Sequence, residues 1–115
     1  MPFNNNGLNA AANGVAAAGT YISAHTADPG STGTSEVAGG TYARQQTTWA
    51  AAANGERVGS QVSIPIPAAT NIRWWGIWSA ATAGTFLGGF DLDANEAFGA
   101  AGVLNHTPTI DANAS

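Results

Sequence analysis

The chain carries very little charge. Only 9% of its 115 residues are charged, lysine is absent, and three arginines face seven carboxylates, giving a net charge of −4. Soluble domains usually carry about 25% charged residues. The missing basic surface argues against nucleic-acid binding. We expect a surface this poor in charge either to be covered by other chains or to stay in water as a face of small polar residues, and the composition favours neither.

Cysteine and long apolar runs are also missing. Without cysteine there is no disulfide framework and no thiolate metal site. The Ala-rich stretch from Leu8 to Ala18 is interrupted by Asn9, Asn13 and Gly14 and has no basic residue before it, so it predicts neither a signal peptide nor a membrane span. We therefore expect a protein made in the cytoplasm, with no membrane partner. Its length predicts one domain, residues 1–115.

The first 18 residues predict an arm and a short helix. Residues 1–7 have the character of an extended arm. Residues 8–18 place Leu8, Val15 and three alanines on one helical face. A stripe made mostly of Ala does not hold a helix alone, so we expect it to lie against a sheet or a neighbouring subunit.

From residue 20 onward the apolar period is two, which is typical of strands. Val58, Ser60, Val62, Ile64 and Ile66 alternate with polar residues as one half-buried strand, and Pro65 places its end at an edge or a bulge. Other predicted strands cover Tyr21–Thr26, Thr41–Trp49, Ile72–Trp78, Thr85–Leu92, Phe98–Leu104 and Thr107–Ile110. The fold prediction is mainly β: a small antiparallel, jelly-roll-like β-sandwich over residues 20–110, with one short N-terminal helix and a long loop at 27–40.

Enzymatic chemistry is not expected. His25 and His106 are the only histidines, no GxSxG motif is present, and nothing in the sequence gathers a Ser, a His and an Asp. His25 is expected to be a partly buried, hydrogen-bonded histidine. No cofactor is predicted.

The segment Asp91–Glu96 copies the first half of a calcium loop, D-x-D-x-N. Glu96 stands where the loop needs glycine, and Gly102 stands where it needs a bidentate glutamate. The sequence therefore favours an acidic turn after a strand. A weak calcium site of another type at Asp91, Asp93 and Glu96 remains a hypothesis.

Three tryptophans lie within five residues. By strand alternation Trp74 and Trp78 share a face, and we expect them in the core with Ile64 and Phe86. Trp75 is expected to point the other way, as an interface anchor, a packing residue under the helix, or a platform for a sugar. An interface or packing role is favoured.

Arg44 is expected to pair with Asp28 or Glu36 and so fasten the long loop to the sheet, because a bidentate pair offsets part of the loop's ordering entropy. A salt bridge to a neighbouring subunit is the alternative.

The order of several short motifs resembles that of small virion proteins of tailed bacteriophages, which are labelled tail-fibre-like, minor structural or capsid-decoration proteins. The motifs are HTADPG (residues 25–30), EVAGGTYARQ (36–45) and RWWGIWSAATAGTFLGG (73–89). The resemblance covers roughly two thirds of the chain. FGAAGVL (98–104) fills the place of a closing strand, whereas DLDANE (91–96) departs from the family pattern.

The resemblance implies a non-enzymatic structural protein of the virion, assembled in the host cytoplasm. We expect a capsid decoration or cement protein that forms a homo-oligomer and binds the major capsid protein, because the chain lacks a repetitive shaft segment. A tail-tip or tail-fibre-associated protein, bound to tail proteins, is the alternative, and a host-surface carbohydrate-binding module using Trp75 is the alternative of another class. The predicted contact residues are Pro2, Phe3 and Asn4 of the arm, Asp28, Pro29, Thr32, Glu36 and Val37 of the loop, and Arg44 and Trp75.

Overall fold

A computed structural model of the chain describes residue 14, residues 16–51 and residues 56–111. Gly14 and residues 16–18 are helical. Eight strands follow in the described part of the chain: β1 (Tyr21–His25), β2 (Gln45–Gln46), β3 (Glu56–Val58), β4 (Val62–Ile66), β5 (Thr70–Trp78), β6 (Phe86–Phe98), β7 (Gly102–His106) and β8 (Thr109–Asp111). This confirms the mainly-β fold with a short N-terminal helix. The predicted arm, with Pro2, Phe3 and Asn4, and the start of the predicted helix lie outside the described residues.

The strands form antiparallel sheets. The largest has the order β2-β1-β5-β6, and two smaller sheets pair β3 with β8 and β4 with β7. At its centre Ile22 of β1 lies opposite Ile77 of β5, and His25 lies opposite Trp74. No helix in the described ranges is long and apolar enough to cross a membrane.

One hydrophobic core fills the space between the inner face of the four-stranded sheet and the smaller sheets. The period-two pattern explains which residues enter it, since alternate side chains of a strand share a face. In β4, for example, Ser63 is exposed while its apolar neighbours are buried. The core residues contributed by the strands are Ile22, Ala24, Val62, Ile64, Ile66, Ile72, Trp75, Ile77, Leu104 and Ile110.

The strand predicted across Val58–Ile66 is two strands, and that prediction was wrong. β3 ends at Val58, whose side chain is 41% exposed rather than buried. Gly59 N then donates to Pro108 O, and Ser60 N donates to Thr48 O. The strand pairing with residues 102–111 is interrupted after Gly59 and resumes at Val62, which separates β3 from β4.

The two faces of β5 were assigned the wrong way round. Trp75 lies in the core, 4% exposed, and stacks on Phe90 at 4.6 Å between ring centroids. Trp78 contacts Phe86 instead, edge to face at 5.1 Å. Ile72 joins Trp75 in the core although simple alternation would place them on opposite faces, and a register shift lies between Ile72 and Trp74. We call the face that carries Trp74 and Trp78 the outer face of the sheet.

Candidate functional site

The long loop folds back onto the outer face of the sheet. Thr26 N donates to Ser35 O and Val37 N donates to Ala24 O, each at 3.0 Å, so the loop leaves and rejoins β1 as a paired segment. Inside it, Gly33 N and Thr34 N both donate to Pro29 O at 3.0 Å. Gly30 N donates to Asp28 Oδ1 at 2.8 Å, which is an Asx turn. These bonds make residues 26–37 an ordered cover, which we call the loop cover.

The loop cover packs tightly on aromatic and glycine positions of the sheet. Pro29 is fully buried and sits directly over Gly89, where a Cβ would collide with the proline ring. Gly33, at φ 80°, approaches so closely that a Cβ there would lie 2.5 Å from Trp78 Cζ2 and 2.9 Å from Phe86 Cδ1. The outer face is therefore a second, smaller buried layer.

Arg44 fastens this layer. Its Nε and Nη2 donate to Glu36 Oε2 and Oε1 at 2.8 and 2.9 Å, a bidentate pair. Its Nη1 donates to the carbonyls of Ala80 and Ala83 at 3.0 and 2.8 Å. The guanidinium lies 3.6 Å from the centroid of Trp78. The predicted pair is confirmed with Glu36 as the partner, and one side chain joins the loop cover to the turn after β5.

The electrostatics of this cluster follow from its burial and its hydrogen bonds. Burial alone would raise the pKa of the Glu36 carboxyl, but hydrogen bonds from Arg44 and Tyr42 outweigh burial and hold the pKa below its ordinary 4.5. Burial, together with the hydrogen bond that Tyr42 Oη donates to Glu36 at 2.7 Å, raises the pKa of Tyr42 well above its ordinary 10.0. Glu36 is therefore ionised and Tyr42 neutral over the physiological range.

A buried hydrogen-bonded chain runs beneath the loop cover. His25 and Ser23 are both fully buried. His25 Nδ1 lies 2.8 Å from Thr34 O, an acceptor, so Nδ1 carries the proton and Nε2 accepts from Ser23 Oγ at 2.7 Å. Ser23 Oγ in turn accepts from Trp78 Nε1 at 3.0 Å. A Ser–His pair normally suggests a nucleophile, but here every lone pair and proton is used inside a closed layer.

Stability is expected to fall in two stages as the pH is lowered. Burial lowers the pKa of the His25 imidazole below its ordinary 6.5, so the unfolded chain binds more protons below pH 6.5 and stability decreases there. The depressed pKa of Glu36 adds a second loss below pH 4.5. Urea midpoints measured across this range test the prediction. His25→Gln should remove the first stage, and a wild-type midpoint that stays constant across the histidine range contradicts it.

A cleft opens where the loop cover stops. Its volume is about 680 Å³. The start of the loop cover forms one wall, the turn between β4 and β5 forms the other, and the partly exposed Trp74 lies between them. The polar residues on its walls are Thr26, Asp28, Glu36, Thr70, Asn71 and Arg73. In this cleft a partly exposed indole and several hydrogen-bonding side chains meet.

In the structure some of the predicted contact residues are exposed and others are buried. Asp28 and Thr32 are exposed on the loop cover. Pro29, Val37 and Trp75 are buried within the chain, so their side chains are not presented to other chains here. The physical reason is that the outer face of β5 is apolar and the loop shields it from water, which turns an expected contact arm inward.

The Arg44 and Glu36 side chains form an ion pair with each other and are 9% and 20% exposed. Trp75, 4% exposed and stacked on Phe90, offers little free surface to a sugar.

The acidic segment is also placed differently. Residues 91–96 lie within β6 rather than in a turn. Asp91 pairs with Trp74 of β5 and Glu96 pairs with Ile72, and the four residues between them form a bulge. Asp91 and Glu96 are exposed. In the part of the chain that the structure describes, no group of three His, Asp or Glu residues could hold a metal ion.

Sequence reasoning missed the chain of Ser23, His25 and Trp78. Its signal was the pair of polar residues at alternate positions of β1, facing the second apolar side of β5. It also missed that Trp74 is partly exposed, because the exposure of Trp74 depends on which face of β5 packs against the core.

The comparison with protein families gives one finding. A family model described as Gp80, podophage GP4 fiber I protein gp80, matches residues 3–111. None of the curated proteins matches this chain.

Proposed function

Because the chain belongs to the family of the podophage GP4 fiber I protein gp80, we propose that it is a structural component of the tail-fibre apparatus of a bacteriophage. The match extends over nearly the whole chain and makes it a phage structural protein. The word "fiber" in the family description is the observation that favours a tail-fibre location over capsid decoration. The order of preference drawn from the sequence is therefore reversed, with tail proteins as the proposed partners.

The architecture suits a rigid building unit. Two buried layers share one sheet, and Arg44 joins the outer layer to the turn after β5. The small sheets carry the exposed apolar side chains Val58 and Val103, which are 41% and 51% exposed. In the described residues each of these sheets has two strands. Residues 48–50 bond to the far side of β3, through Ala50 N to Val58 O and Ser60 N to Thr48 O, whereas the outer edges of β7 and β8 bond to no further backbone segment in the described residues and are open to another chain.

We assign the contacts with other virion chains to these edges rather than to the loop cover. Val103 of β7 lies opposite Pro65 of β4. Proline cannot donate to a further strand, so the β7 edge is the better place for addition of a strand. A symmetric homo-oligomer joined through this edge is the simplest assembly, with assembly in the host cytoplasm.

The proposal includes no catalytic step. The pair of Ser23 and His25 supports this, since both side chains are fully buried and their hydrogen bonds end within the layer. A nucleophile needs access to its substrate.

Crosslinking in intact phage particles tests the location. Because the chain contains no lysine side chain, the crosslinker is a photo-activated residue introduced at Val103 instead of an amine-reactive reagent. The same photo-activated residue at Thr32, which is also exposed, is the matched control. We expect Val103 to crosslink to tail proteins or to another copy of this chain, more strongly than Thr32 does. Crosslinks mainly to the major coat protein would overturn the tail-fibre proposal in favour of decoration.

A further inference from the structure

The cleft beside the loop cover has a flat aromatic surface. Trp74 belongs to the outer face of β5, as Trp78 does, but the loop cover seals Trp78 and leaves Trp74 partly exposed in the cleft. An indole in a cleft of about 680 Å³ offers a ring-sized apolar platform. The axial C–H groups of a pyranose ring pack against such a surface, while the rest of the sugar stays polar.

The walls of the cleft are rich in acceptors. Thr26 Oγ1 and Thr70 Oγ1 donate to the carbonyls of Ser35 and Ala68, at 3.5 and 3.2 Å, which leaves their lone pairs toward other groups. The Asp28 carboxylate uses Oδ1 for its Asx turn. A ligand that fits these walls must supply several donors at short spacing, as adjacent hydroxyl groups do.

Asn71 adds an independent observation. Its Oδ1 is shielded from solvent and has no hydrogen-bond partner in the described ranges. Asn71 is part of the cleft wall. A buried amide oxygen without a partner is costly in a folded protein, so the wall that carries Asn71 has an unmet hydrogen bond.

The charges of the cleft narrow the class of ligand. Arg73, Asp28 and Glu36 all line the cleft, and Arg73 and Asp28 are exposed, so the walls hold charges of both signs. A phosphate or carboxylate ligand would meet Asp28, and the chain as a whole has a net charge of −4. A neutral, hydroxyl-rich ligand is repelled neither by Asp28 nor by the net negative charge of the chain.

We propose that the cleft at Trp74 binds a neutral saccharide, one or two pyranose units long, stacked on the indole and hydrogen-bonded to Asp28, Asn71 and Arg73. This goes beyond the proposed structural role and does not rest on it, since binding at the cleft is a property of the purified protein wherever it sits in the particle.

Amide NMR spectra of the purified protein, titrated with a panel of neutral hexoses, deoxyhexoses, N-acetylhexosamines and their disaccharides, test this proposal. We expect at least one of these sugars to shift the signals of Thr26, Asp28, Asn71 and the Trp74 indole with a saturating, millimolar dissociation constant. Trp74→Ala should weaken that binding roughly tenfold or more, because it removes the stacking surface.

Asp28→Asn is the second variant, because asparagine keeps the Asx turn and the fold does not depend on the charge. It should weaken binding several-fold, whereas Val103→Ala, an exposed control away from the cleft, should not change it. If no sugar of the panel shifts the cleft signals, or if the shifts are unchanged in both cleft variants, the proposal is overturned. Saturable binding of inorganic phosphate at the same signals would overturn the neutral class.

Discussion

Arg44→Ala is expected to lower the free energy of unfolding by about 3 to 5 kcal/mol, the usual effect of removing one partner from a buried ion pair. In the wild type the Arg44 and Glu36 side chains are only 9% and 20% exposed. The replacement leaves the Glu36 carboxylate with Tyr42 as its remaining hydrogen-bond donor. The change also removes two hydrogen bonds to carbonyls and the contact with the Trp78 ring. Urea unfolding of the variant measures the loss.

Local opening should accompany the global loss. Because the guanidinium joins the loop cover to the turn at Ala80 and Ala83, the amides of Gly33, Thr34 and Val37 should exchange with solvent faster than in the wild type. Hydrogen exchange followed by mass spectrometry measures this. Unchanged protection of these amides would mean that the loop cover is held without Arg44.

Arg73→Ala is the matched control, since Arg73 is an exposed arginine of the same sheet. It should change stability by no more than about 0.5 kcal/mol. Arg44→Lys should recover only part of the loss, because an ammonium cannot reproduce the two-pronged contact with Glu36. If Arg44→Ala and Arg73→Ala lower the free energy of unfolding by the same small amount, the Arg44 cluster stabilises the protein no more than a surface ion pair does.

The sequence was sufficient for the fold class and for an ion pair between Arg44 and a carboxylate of the loop, either Asp28 or Glu36. Strand alternation and turn residues are local signals, and they were correct for β1, for β4 and for the turn between β5 and β6. The pair of Arg44 and Glu36 was foreseeable because few charges are present and both flank one loop. Which carboxylate Arg44 would choose depended on the path of the loop, which the sequence left open.

The faces of β5 were not foreseeable from alternation. A strand that is apolar on both sides gives two equivalent choices, and Ile72 joins Trp75 in the core, with a register shift between Ile72 and Trp74. The same ambiguity hid the loop cover. If Trp78 faces outward, an apolar surface has to be shielded, and the nearest segment able to do this is the long loop.

The break between β3 and β4 has a different cause. Val58 continues the apolar alternation of Val62 and Ile64, so the sequence pattern contains no interruption. The interruption falls where Gly59 bonds to Pro108 and Ser60 bonds to Thr48. Only the packed chain brings these partners together, and a pattern that reads neighbours along the sequence cannot find them.

Gly33→Ala is expected to lower the free energy of unfolding by about 2 to 5 kcal/mol, through two effects that a control can separate. The residue sits at φ 80°, and an alanine in that region costs about 1 to 2 kcal/mol. Its Cβ would also lie 2.5 Å from Trp78 Cζ2, and such overpacking costs about 1 to 3 kcal/mol. Since the Trp78 ring is held on its other side by Arg44, it has little room to move.

Gly30→Ala isolates the backbone effect. Gly30 lies in the same loop cover at φ 62°, but a Cβ there meets nothing within 4 Å. It should therefore lose only about 1 kcal/mol. The difference between the two variants in urea unfolding reports how tightly the loop cover presses on Trp78. Equal losses would mean that the loop yields to the added methyl group, and the outer layer would then be a loose flap rather than a second packed layer of the protein.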